Sequence, residues 1–109
     1  VSIFNPPKST VPIAAAAAAT TVVVAAEAGR IPVVYGYGLV LTAAGTYRWE
    51  TTDGTDLSGD VKCVDTGGIA MIGNEDCPIL IGKVGQGLQL VLVGAGAAAA
   101  GHLTLGKVS

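Results

Sequence analysis

His102 is the only histidine in the chain, and four aspartates, Asp53, Asp56, Asp60 and Asp65, crowd one short segment. Together with Cys63 and Cys77 they are the residues that could do chemistry. A lone imidazole makes no His-rich metal site. A Ser-His-Asp relay would rest on it alone, and no Gly-x-Ser-x-Gly elbow supplies a nucleophile. The carboxylates would suit a hard cation such as Ca²⁺. Their spacing fits no calcium loop, however, and Asp in turns ordinarily bonds the backbone. Leu90 to Val93 followed by Gly94-Ala95-Gly96-Ala97-Ala98-Ala99 imitates a dinucleotide fingerprint. That fold needs a helix, a second strand and a later acid. Only ten residues follow Ala99. The same loop fails as a phosphate cradle, because His102 and Leu103 stand where Lys and Ser/Thr are required. The expectation is no catalytic residue, no cofactor site and no metal site: a protein that is not an enzyme.

The elements around these residues read as strands. The last third repeats short apolar runs between glycines, the punctuation of an antiparallel β-sandwich. Half of the 109 residues are hydrophobic, yet few are aromatic, and 16 glycines imply many turns. Expected strands are Val11–Ala16, Thr20–Ala26, Ile31–Ala43, Thr46–Thr51, Val61–Val64, Ile69–Ile72, Ile79–Ile81, Leu88–Val93 and Leu103–Val108, making a sandwich of about eight. A short helix over Ala14–Ala19 is the rival reading, given the propensity of alanine. Tyr47, Trp49 and Thr51 alternate with Thr46, Arg48 and Glu50, which predicts Trp49 in the core. Leu88–Val93 is apolar on both faces and should be covered twice, once by the facing sheet and once by a second subunit.

Residues 1–10 read as an extended arm and residues 11–109 as one sandwich domain. The arm holds Ile3 and Phe4 beside Pro6 and Pro7, and paired prolines disfavour both helix and central strand. Its apolar groups need a dry seat, either on this domain or on a neighbouring subunit. Val11 to Ala28, with Ala26-Glu27-Ala28 before Gly29, imitates a cleaved leader. Glu27, Thr20-Thr21 and Pro12 interrupt it, so it is expected to belong to the fold and not to a membrane.

Charge is scarce: six basic and eight acidic side chains, with a net charge of −2. Scattered cations give no basic stripe for nucleic acid. So few solvated groups point instead to surface buried against other chains. Cys63 and Cys77 could form one disulfide if their strands pair. The preferred reading is two small buried hydrophobes in a reducing compartment. Tyr35 and Tyr37, with the loop 52–60, would form a sugar-binding patch if they face outward.

Three segments stand in order: Thr20-Thr21-Val22-Val23-Val24-Ala25-Ala26-Glu27-Ala28-Gly29-Arg30-Ile31-Pro32-Val33, then Val84-Gly85-Gln86-Gly87-Leu88-Gln89-Leu90, then Gly101-His102-Leu103-Thr104-Leu105. The pattern resembles small jelly-roll virion proteins of tailed bacteriophages, in particular capsid decoration (cement) proteins. The resemblance spans most of residues 11 to 108. Leu103 and Leu105 replace the family's polar-aromatic closing strand, and the alanine run is unusually long. The resemblance implies a jelly-roll fold and a homotrimer that cements the phage major capsid protein. It places the protein on the capsid surface of a virion made in the host bacterial cytoplasm. Ile3, Phe4, Pro6, Pro7 and His102 are the candidate subunit or capsid contacts. A tail-fibre or adhesin-type module holding a host-surface glycan is the alternative.

Overall fold

The computed structural model describes residues 8–63, 67–73, 77–94 and 96–108. They form nine strands: β1 (Ser9–Ala15), β2 (Thr20–Val24), β3 (Ile31–Leu41), β4 (Gly45–Thr51), β5 (Val61–Cys63), β6 (Gly67–Ile72), β7 (Leu80–Ile81), β8 (Leu88–Val93) and β9 (Ala99–Val108). Sheet I has the order β1-β9-β3-β6, with the short β7 also pairing β3; sheet II has the order β2-β8-β4-β5. All pairings are antiparallel. The chain thus behaves as one long ribbon. β1 pairs β9, β2 pairs β8, β3 pairs β6 and β7, and β4 pairs β5, with successive rungs alternating between the layers. A ribbon wrapped in this way is consistent with a jelly roll.

Alternation decides the inner face. Ile13 and Ala15, Leu39 and Leu41, and Leu103 and Leu105 project from sheet I. Tyr47 and Trp49, with Leu88, Leu90 and Leu92, meet them from sheet II. Trp49 is fully buried, as its alternation predicts. Its ring lies 5.3 Å from that of Tyr37, edge to face. The hydroxyls of Tyr37 and Tyr47 are 3.0 Å apart and bond each other, so two phenols enter the core as a satisfied pair. Burial, then the Tyr37 hydrogen bond, pushes the Tyr47 phenol up from its ordinary value.

Several expectations are corrected. The arm ends earlier than residue 10, because Ser9 and Thr10 pair Leu105 and Thr104. The closing strand starts at Ala99, not Leu103, because β9 lies between β1 and β3 and pairs both along its length. Tertiary pairing overrides the weak strand preference of Ala and Gly. No helix forms over the alanines: Ala14 and Ala15 are extended in β1. Six alanines are too few to offset helix nucleation. β2 stops at Val24, beyond a register shift between Val22 and Val24. There Gly87 packs so close that a Cβ on it would overlap the Val24 carbonyl oxygen. Within the single chain, β8 has only the facing sheet as a cover. Val91 is shielded within its own sheet, where Thr20 and Arg48 flank it in register, whereas Val93 is exposed.

Ala18, in the turn between β1 and β2, has φ 54° and is the one non-glycine residue described with positive φ. A Cβ in that region is strained by roughly 1–2 kcal/mol. Ala18→Gly is therefore expected to stabilise the fold by up to about 1 kcal/mol after the added freedom of the unfolded chain. The check is a raised midpoint in urea at unchanged slope.

Candidate assembly surface

The two outer faces differ in kind. On sheet II, Arg48 and Glu50 of β4 stand beside Gln89 of β8. The Arg48 Nε donates to Glu50 Oε2 at 2.8 Å, and Gln89 Nε2 donates to Glu50 Oε1 at 2.8 Å. Asp56 and Asp60 approach the same guanidinium at 3.4 and 3.6 Å. The Gln89 hydrogen bond, followed by the Arg48 one, holds the Glu50 carboxyl below its ordinary value. Asp53 accepts from Thr51 Oγ1 and, at 2.9 Å, from Lys83 Nζ; these bonds hold its carboxyl low as well. The aspartates that sequence alone offers to a cation are thus engaged by Arg48 and Lys83. No group of His, Cys, Asp and Glu suited to a metal ion exists among the described residues. Asp65 lies outside them.

These shifts predict an acid limb. A carboxyl whose folded value is depressed adds stability above its unfolded value and loses it as pH falls through the folded value. The melting temperature should hold level from neutrality down to about pH 5 and fall below the ordinary Glu and Asp values of 4.5 and 3.8. Gln89→Ala should cost about 1–2 kcal/mol near neutral pH, the worth of a hydrogen bond to a charged group. That cost should shrink as the pH falls below the ordinary Glu value and through the depressed folded one. Thermal melts of both proteins across this range decide it.

The outer face of sheet I is different. Register brings together Thr10, Thr104, Gly36 and Ile72 in one row across four strands. The next row is Pro12, His102, Gly38 and Ala70; the third is Ala14, Ala100, Val40 and Gly68. None of these side chains is an acid, a lysine or an arginine. Val40 and Ile72 are 50% and 89% exposed, although both are apolar. Gly36 and Gly38 leave a shallow groove of about 570 Å³ between His102 and Ile72. A bulge at Val34/Gly36 turns Tyr35 out of the pairing and into the groove wall, where Lys8 Nζ sits 5.3 Å above its ring.

His102 is exposed at the centre of this face. Of the candidate contacts it is the one the structure describes; Ile3, Phe4, Pro6 and Pro7 lie outside the described residues. The partners of His102, Pro12 and Gly38, come from distant parts of the sequence, and only register reveals them. Tyr35 and Tyr37 are 5% and 9% exposed, so neither offers a ring face for a sugar to stack on. Cys63 is half-buried and Cys77 exposed, and they are not bridged to each other, which corrects the expectation that both are buried. No helix described is long and apolar enough to cross a membrane. No protein-family model, no curated protein and no solved structure matches this chain.

Proposed function

We propose that this chain is a non-enzymatic virion structural protein, a trimeric capsid decoration protein that cements neighbouring major capsid proteins. The observation that carries the reading is the outer face of sheet I, where three rows across four strands hold no acid, lysine or arginine and Lys8 stands at one end of the groove. A soluble sheet face ordinarily alternates apolar inside with polar and charged outside. Sheet II sets Arg48, Glu50 and Gln89 outward as an ion-paired cluster, beside Val22, Val91 and Val93. Sheet I presents glycine, alanine, threonine, proline, valine and isoleucine around one histidine. Burial of these three rows against another chain costs no desolvation of charge, and their small residues let a partner backbone approach closely. The phage context rests on the sequence resemblance. A trimer spanning several capsid subunits would add many weak contacts that act together.

The test is the number of copies of this chain per major capsid protein in purified virions, measured by quantitative mass spectrometry. A ratio near one fits a shell decoration. A handful of copies would assign the chain to the tail or neck, and its absence would discard the virion role.

A further inference from the structure

β6 is an edge strand without the usual protection. Edges are ordinarily blunted by Lys, Pro, a bulge or a covering element. β1, the opposite edge of the same sheet, carries Pro12. β6 reads Gly-Gly-Ile-Ala-Met-Ile, has no charge, and pairs β3 without a register shift. Met71 and Ile72 are 45% and 89% exposed. Among the described residues, no strand pairs its other edge.

We infer that the free edge of β6 pairs antiparallel with β6 of a second copy of this chain, across a two-fold axis through Ala70. This goes beyond the trimer: on the reading above, it would link one trimer to the next. Symmetry restricts the register. A two-fold axis normal to an antiparallel pair sets one residue opposite itself, so partners are spaced evenly about it. Centring on Ala70 pairs residues 68–72 of the two copies and leaves out only Gly67. On the outward face Gly68 of one chain then meets Ile72 of the other, twice, and Ala70 meets Ala70. On the inward face Ile69 meets Met71, and Met71 gains a cover. A large side chain opposes a glycine at both ends, and the crowded middle has only methyl groups. The sequence of β6 is complementary to itself in this register, which argues for a second copy over a different partner. Five residues a side are too few to hold two free chains, since an isolated pair of strands is marginal. The contact gains strength when trimers are seated side by side and the second encounter becomes local.

Cross-linking tests it on the full chain with Cys63 and Cys77 replaced by Ser. In this register the two Ala70 Cα atoms lie about 4.5–5.5 Å apart, within disulfide reach. The two Gly68 Cα atoms lie four residues apart along the strand, about 13 Å, and cannot bridge. Under mild oxidation, Ala70→Cys should form disulfide-linked dimers at least about tenfold faster than Gly68→Cys. The double variant Gly68→Cys/Ile72→Cys should cross-link like Ala70→Cys. Equal rates at positions 70 and 68 would overturn the inference. The trimer reading would stand if sedimentation still gave trimers, and fall separately if it gave monomers.

Discussion

Gly38→Arg is expected to weaken self-association at least about a hundredfold while leaving the fold intact. A charge trapped in a dry interface costs several kcal/mol, and about 3 kcal/mol corresponds to that factor. Gly38 lies at the centre of the uncharged rows, beside His102 and Ala70. A Cβ added there meets nothing within 4 Å. The arginine would therefore stand in solvent in the isolated chain, and the melting temperature of the monomer should hardly move. A contrasting charge on sheet II, such as Thr20→Arg, should leave association unchanged. Sedimentation velocity over a dilution series reads both variants. If Gly38→Arg associates like the parent chain, the outer face of sheet I is not the contact.

Trp49→Ala should be the most damaging single change to the fold, costing about 3–5 kcal/mol. Trp49 is fully buried between the sheets, packed edge to face on Tyr37. Removing the indole also leaves the Tyr37–Tyr47 hydroxyl pair beside a void. Domains of this size hold only about 5–15 kcal/mol in total, so the variant should lose much of its cooperative transition. Trp49→Phe should be much milder. The indole Nε1 finds no hydrogen-bond partner among the described residues, so phenylalanine removes a buried unsatisfied donor as it removes volume. Urea denaturation of the three proteins ranks them. A mild Trp49→Ala would mean that the core closes elsewhere.

Much of this architecture is legible in the sequence where a strand's own pattern decides it. β8 occupies Leu88–Val93, the range its apolar run between glycines marks out, and β4 buries the three residues its alternation selects. Reading fails where neighbours decide. Ala99 and Ala100 are strand because β1 and β3 hold both sides of β9, and no local preference says so. Pro32, Gly36 and Gly38 mark Ile31–Ala43 as a bent strand, but do not tell that the bulge falls at Val34/Gly36 and turns Tyr35 aside. The outward ring that a sugar patch asks of Tyr37 is absent for a related reason: Tyr37 faces inward, to a phenol on the other sheet. His102 stands out in the sequence by being alone. The face around it does not, because its members are alternate residues from four strands distant in the chain. On the proposed reading the shortage of charge goes with a covered surface, and the register groups the uncharged rows on the outer face of sheet I.

The molar mass of the unmodified chain in solution tests the central claim most directly. By sedimentation equilibrium at neutral pH, the account predicts a dominant species at three times the 10.8 kDa chain mass. A stable species at 10.8 kDa over the whole concentration range would contradict it, leaving the uncharged rows of sheet I without a partner of their own kind.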